Sequence, residues 1–199
     1  MKNRPILFSA PMVRALLDGK KTQTRRLIKV QPGNVLWGSN GLEWSWLSEH
    51  DDPPQFIRCP FGVPGDHLWV KETHQAHWTS EVEPARNFVQ SQGDRWTVRY
   101  CATDDVIDIH NEEKGTVGPT CRPSIFMPRW ASRITLEVTE VRVQRLHDIS
   151  QDDAEAEGIT CTKAPPIPTY AHLWNEINGA GAWAKNPWVW AISFKRVSP

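Results

Sequence analysis

Two stretches in the last third of the chain alternate apolar and polar residues with the period of a β-strand, and nothing else in the sequence restricts the fold as much. In the first, Ile134, Leu136 and Val138 share one face while Val141 and Val143 resume one residue out of phase. That slip predicts one long strand with a bulge near Thr139-Glu140, the device by which sheets bend. The second stretch, Trp188 to Val197, sets Trp188, Trp190, Ile192 and Phe194 on one side. Shorter alternating runs elsewhere, a few short helical segments and no regular strand-helix-strand rhythm predict an α+β chain. Its architecture is a compact mixed β-barrel with short helices packed around it, rather than a doubly wound sheet.

The remaining elements fit between these strands. Ile6 to Phe8 is a short strand candidate, and Pro11 opens a helix whose Met12, Ala15, Leu16 and Gly19 fall at helical spacing, with Gly19 ending it. Pro60 to Asp66 reads as consecutive turns feeding a strand in which Leu68 and Val70 face one way and Trp69 and Lys71 the other. Ser150 starts an acidic helix with Asp153 in a capping-box-like position and Gly158 closing it. A further helix follows Pro168, with Tyr170, Leu173, Trp174 and Ile177 on its apolar face. Two segments interrupt this scheme. Residues 31–60 are rich in turn formers around Trp44-Ser45-Trp46 and predict a hairpin; residues 79–119 predict loops around one strand, Trp96 to Tyr100. A length of 199 residues is within reach of one decorated domain, so these are read as insertions.

Composition narrows the function classes. Lys plus Arg equals Asp plus Glu, so no global positive field holds a long nucleic acid by counterion release, and any nucleic-acid contact is local. No apolar run approaches the roughly 18 residues of a membrane span, and Met1 to Pro5 lacks the apolar stretch of a secretory signal, which points to the cytoplasm. Cys59, Cys101, Cys121 and Cys161 form no C-x-x-C pair and read as reduced thiols. His74 and His77 stand three apart without an acidic or cysteine partner at a recognised spacing, so neither a metal nor an organic cofactor is expected. Eleven tryptophans exceed ordinary use, and most must be core or wall residues.

The most basic segment, Lys20 to Arg26, follows directly on the first helix. Crowded cations repel, and the repulsion lowers the pKa of whichever lysine is most buried; Lys21 is the candidate. Glu157 stands in the last turn before Gly158, where a negative charge opposes the helix dipole, a local misfit that favours a functional role. Arg122, Arg129 and Arg133 flank Pro123 and Pro128 and are candidates for phosphate contact.

The run Leu17-Asp18-Gly19-Lys20-Lys21-Thr22-Gln23-Thr24-Arg25, followed by Pro64-Gly65-Asp66-His67-Leu68-Trp69-Val70, resembles the ASCH family of PUA-like domains. The stretch Arg122 to Arg133 and the ending Asn186-Pro187-Trp188-Val189-Trp190 look like the larger ASCH proteins of phages and prophages. The resemblance implies a PUA-like barrel. Small bacterial ASCH proteins hydrolyse N4-acetylcytidine with a Lys, Thr and Glu set, and the matching positions are Lys21, Thr24 and, in Ala154-Glu155-Ala156-Glu157, Glu157. The implied activity is an amidohydrolase for an N-acylated cytosine nucleoside or related modified base, with Arg25, Arg26, Trp69, Lys71, Arg122 and Arg129 contacting the substrate. In that chemistry Thr24 attacks or orients a water, Lys21 is the base, and Glu157 orients the lysine or returns the proton. Lys21 and Thr24 differ by an odd number, so the segment must turn for both to face one pocket. Two further readings remain: a non-catalytic module that binds RNA or a modified base, and a metal-independent ribonuclease with Glu157 as base.

Overall fold

The computed structural model describes residues 1–31, 38–39, 43–46, 55–78, 88–91, 94–104, 110–111, 116–117, 121–159 and 164–197. Along the chain these form β1 (Asn3–Leu7), α1 (Ala10–Leu17), β2 (Gln23–Leu27), β3 (Gly38–Ser39), β4 (Glu43–Trp46), β5 (Gln55–Ile57), β6 (His67–Lys71), β7 (His74–Trp78) and β8 (Phe88–Ser91). There follow β9 (Asp94–Tyr100), β10 (His110–Asn111), β11 (Thr116–Val117), β12 (Thr135–Arg145), α2 (Gln151–Ala156), α3 (Pro166–Asn178) and β13 (Trp188–Val197). Several sheets and few, short helices make this an α+β fold, as the alternation pattern requires. By contact density the chain divides into two compact units, Met1–Arg4 with Ala15–Leu68 and Leu136–Val197, and Pro5–Arg14 with Trp69–Thr135.

The largest sheet runs in the order β1-β6-β12-β13-β2, an open ladder among the described residues, with β13, β2 and nearly all of β12 in the first unit. The two strands that dominate the sequence pattern lie side by side at its centre. In β12, Leu136 and Val138 are fully buried, Thr139 and Glu140 are both exposed, and Val141 is buried again, so the predicted phase slip falls on the expected pair. β13 buries Val189 and Ala191 as well as Trp190, Ile192 and Phe194. It is therefore covered on both faces, and the one-sided reading understated it. β13 pairs antiparallel with β2, matching Val189 to Leu27 and Ile192 to Thr24. Among the described residues of 31–60, β3, β4 and β5 form an antiparallel trio, and the Trp44 indole meets Trp190 edge-on with centroids 4.8 Å apart. A second cluster packs Tyr170 and Trp174 of α3 against Leu146, Ile149, Ala154 and Val189. α3 begins at Pro166, two residues before the expected start, because proline at the first helical positions sacrifices no hydrogen bond. Of its expected apolar face, Leu173 is half-buried and Ile177 is 56% exposed.

The second unit carries the antiparallel sheet β7-β9-β8, which includes the one strand expected in 79–119, and β10 pairs with β11 in the same region. Its core joins Val98 and Tyr100 to Met127 and Ala131. Arg133 is held by both carboxylate oxygens of the buried Glu72 at 2.9 Å and lies 3.9 Å from the Tyr100 ring centroid. The Arg133 guanidinium is therefore paired within the protein, with 23% of its side chain still exposed. Cys101 and Cys121 are neighbours; burial first, then the adjoining Cys121, pushes the Cys101 thiol up to about 12. Cys59, Cys101 and Cys121 are free thiols, and Cys161 lies outside the described residues.

Leu136→Ala should lower the unfolding free energy by about 2–5 kcal/mol in urea titration, because a fully buried leucine at the sheet centre leaves a cavity. A loss below about 1 kcal/mol would mean that β12 is not the core strand described.

Candidate active site

Everything that converges on Glu157 lies within the first unit. In the last turn of α1 the Ala15 carbonyl accepts from the backbone N–H of both Lys20 (2.9 Å) and Lys21 (3.0 Å). The chain then turns into β2 past the end of α2: Thr22 N–H donates to Ala156 O at 2.8 Å, and Phe194 N–H of β13 donates to Thr22 O at 2.9 Å. Lys21 thus precedes the paired strand and forms an isolated antiparallel bridge with Glu157. Gly158 permits this approach. Its φ is +89°, and a Cβ there would stand 3.0 Å from Ala15 Cβ and 3.2 Å from Lys21 Cβ.

α2 starts where predicted, with the Ser150 hydroxyl accepting from Asp153 N–H at 3.0 Å. Its far end presents Glu157 as the C-cap. The Lys21 Nζ donates to the Glu157 carbonyl at 2.7 Å and to its Oε2 at 2.8 Å. Side-chain exposure is 0% for the lysine and 3% for the glutamate. The other carboxylate oxygen accepts from Arg25 Nη1 at 3.3 Å and from the Tyr170 hydroxyl at 3.4 Å. Arg25 also donates to Gln23 Oε1 at 2.6 Å and to Asp153 Oδ2 at 2.7 Å. Asp153 Oδ1 accepts from Gln23 at 3.1 Å and from Arg142 at 3.0 Å. Two cations therefore answer the negative charge that opposes the dipole of α2, and the misfit seen in the sequence is resolved by tertiary contact.

Burial lowers the pKa of Lys21, and the field of Glu157 and the hydrogen bond to it recover only part of the shift; Arg26 and Arg25 lower it further. Burial likewise pulls the Arg26 guanidinium down, against the attraction of Glu157 and Tyr170. The Tyr170 hydroxyl is pushed well up by burial and then by Glu157, so it remains a donor. Burial would raise Asp153, but the Arg142 hydrogen bond and Arg25 outweigh it and hold the carboxyl below its usual range.

The other sequence candidates separate clearly. Thr24 is 3% exposed, lies opposite Ile192 in the ladder, and takes no part in the hydrogen bonds around Glu157. In β2 it stands one residue out of phase with Gln23 and Arg25, the side chains that reach the helix end. Arg25 is 4% exposed; its two terminal nitrogens donate inside the protein and its buried Nε has no hydrogen-bond partner. Trp69, Lys71 and Arg129 come together in the second unit, with the Lys71 amine 5.6 Å and the Arg129 guanidinium 5.9 Å from the Trp69 ring centroid. Lys71 also donates to the Ile125 carbonyl. Arg122 is exposed, and its backbone bridges His74. His74 is buried with its Nδ1 3.2 Å from the Glu72 carbonyl, and the His77 side chain lies outside the described residues. Among the described residues no group of three or more His, Cys, Asp or Glu is placed to hold a metal, and no helix is long and apolar enough to cross a membrane. Sequence reasoning missed Gln23, Asp153, Tyr170 and Arg142 as members of the network. The signal for Gln23 was its shared parity with Lys21 and Arg25.

No family model matches the chain. A search of curated proteins also returned no match. Among solved structures, protein EF3133 from Enterococcus faecalis V583, of family DUF984, is similar at 10% identity and a TM-score of 0.40, over 99% of this chain and 80% of that one. At that score the likeness decides nothing about the site.

A lysine whose folded-state pKa is lowered binds its proton more weakly than in the unfolded chain, so its contribution to stability grows as pH rises towards the unfolded value of about 10.4. Wild type should therefore gain stability relative to Lys21→Met in denaturant titrations as the pH rises towards about 10, where Tyr170 begins to add an opposite slope. A flat or falling difference would show that the amine is not desolvated.

Proposed function

We propose that the chain is an amidohydrolase that removes the acyl group from the exocyclic nitrogen of an N-acylated cytosine nucleoside or related modified base, with Lys21 and Glu157 as its acid-base pair. The observation that carries this reading is the 2.8 Å bond between an amine and a carboxylate that are both out of water. Amide hydrolysis near neutral pH needs a base whose pKa is brought down towards the working range, and desolvation does this to Lys21. The resemblance of Lys21, Thr24 and Glu157 to the ASCH set supplies the substrate class.

In this reaction an oxygen nucleophile, the Thr24 hydroxyl or a water, adds to the acyl carbon and gives its proton to the neutral Lys21 amine. The tetrahedral species then expels the cytosine amine, which takes the proton back from the Lys21 ammonium as the C–N bond breaks. Water attack releases the carboxylic acid directly; threonine attack leaves an ester that a second water cleaves. Glu157 holds the ammonium form in place between the two transfers. Lys21 reaches Glu157 together with Arg25, and Thr24 stands out of phase with Arg25 in β2, which favours a water over the Thr24 hydroxyl as the nucleophile.

Purified protein should release acetate from N4-acetylcytidine, and Lys21→Ala should lower kcat/KM by about 10²–10⁴, the usual yield of a general base, with the far-ultraviolet spectrum unchanged. Thr24→Ala distinguishes the two nucleophiles: the threonine route requires loss of turnover and the water route retains it. Absence of acetate release by wild type sinks the proposal.

A second reading, a binding module for RNA or a modified base, is favoured by the Trp69 ring, whose centroid lies 5.6 Å from the Lys71 amine and 5.9 Å from the Arg129 guanidinium. An indole with flanking cations suits a base stacked beside its phosphate. Under it a single-stranded oligonucleotide binds with salt-sensitive affinity, Trp69→Ala weakens binding at least about tenfold, and Lys21→Ala leaves it unchanged.

A further inference from the structure

The ion pairs that reach Glu157 extend outwards to the surface of the first unit. Charges of alternating sign follow one another inwards: Glu140 Oε2 lies 3.4 Å from Arg142 Nε, and Arg142 Nη2 donates to Asp153 Oδ1 at 3.0 Å. Arg25 Nη2 donates to Asp153 Oδ2 at 2.7 Å, and Arg25 Nη1 donates to Glu157 Oε1 at 3.3 Å. Lys21 closes the series on Oε2 at 2.8 Å. Side-chain exposure falls along it, from 57% at Glu140 through 15% at Asp153 to 3% at Glu157. The series joins β12, α2, β2 and the turn before β2, all of them in the first unit.

Arg25 stands at the middle of this series, and carboxylates set its orientation. Gln23, two residues away on the same face of β2, accepts from Arg25 Nη1 at 2.6 Å while donating to Asp153 Oδ1 at 3.1 Å and to Ser193 Oγ at 3.3 Å. The Arg25 Nε is left unpaired, which is unfavourable for a buried donor, so the guanidinium is aimed to span Asp153 and Glu157 at the expense of its own third nitrogen. That span divides Glu157. Arg25 and the Tyr170 hydroxyl, at 3.4 Å, take one carboxylate oxygen, and Lys21 has the other together with the main-chain carbonyl. Two cations sharing one negative charge each feel less of it. The charged groups facing Lys21 are Glu157 from the end of α2 and Arg25 and Arg26 from β2; the glutamate strengthens its hold on the proton and both arginines weaken it. From the other neighbouring elements, α3 contributes the Tyr170 hydroxyl to Glu157 and β13 contributes the neutral Ser193 to Gln23.

We infer that Arg25 is a positioning residue for the Lys21–Glu157 pair: seated on Asp153 and Gln23, it occupies one oxygen of Glu157, confines Lys21 to the other, and draws negative charge away from the amine. Its use in catalysis rests on the acid-base reading proposed above, whereas its effect on the lysine does not. Two losses then act in opposite directions. Without Arg25 the whole charge of Glu157 returns to Lys21, and the amine keeps its proton more firmly. Without the charge of Asp153, Arg25 answers to Glu157 alone, and the amine gives up its proton more readily.

Nuclear magnetic resonance of the full chain, with its lysines carrying carbon-13 at Cε and the Lys21 signal assigned by its absence from Lys21→Met, reads the amine directly. Arg25→Met should move the titration of Lys21 to higher pH than in wild type, and Asp153→Asn should move it to lower pH. The acidic limb of kcat/KM for N4-acetylcytidine should shift in the same two directions, a split that an arginine needed only for packing would not produce. A Lys21 titration unchanged in Arg25→Met, or shifted with the same sign in both variants, overturns the inference. Opposite shifts without acetate release uphold it and sink the amidohydrolase reading alone. Should Arg25→Met fail to fold, Asp153→Asn decides at a side chain that is partly exposed: a titration unchanged or moved to higher pH overturns the inference.

Discussion

A carboxylate held out of water at the end of a six-residue helix is the demand around which the first unit is arranged. Burying an ion of that size costs several kcal/mol even after relaxation, and the cost is met only if the ion is both paired and hydrogen-bonded. Glu157 receives Lys21 on one oxygen and Arg25 with Tyr170 on the other. These partners arrive from three separate elements: the turn after α1, strand β2 and helix α3. Satisfying one carboxylate therefore specifies where two helices and a strand must meet, a constraint that apolar packing alone would leave loose.

The same arrangement sets the chemistry available. Lys21 is drawn in two directions, with desolvation favouring the neutral amine and Glu157 favouring the ammonium, and desolvation is the larger effect. Asp153 sits at the rim of the network in the opposite condition, its carboxylate stabilised by Arg142 and Arg25. Two acidic groups on one short helix thus serve different ends, Asp153 as an anchor for arginines and Glu157 as the partner of a desolvated lysine.

Much of the fold was legible because it rests on local rules. The period-two runs of β12 and β13, the Ser150 cap and the buried face of β6 each follow from spacing or from a single side chain's hydrogen bond, and each stands where the sequence put it. What was hidden depends on contacts between distant segments. Double-sided burial of β13 requires knowing that Trp44, some 150 residues earlier, covers it. Asp153 looked like half of a capping box, yet its carboxylate turns to Arg25, Gln23 and Arg142. Arg133 looked like a phosphate ligand until Glu72 supplied an internal partner. The site was half legible: repulsion among neighbouring cations singled out Lys21 and the dipole misfit singled out Glu157, whereas the roles of Gln23 and Tyr170 follow only from the docking of β2 and α3.

The lysine amine touches Glu157 twice, at the side chain and at the main-chain carbonyl. Only the first of these contacts depends on charge, because a peptide oxygen accepts equally well whatever the state of the acid beside it. The carbonyl contact therefore seats the amine independently of the carboxylate beside it, and the backbone at the end of α2 shares with the Glu157 side chain the task of fixing the lysine.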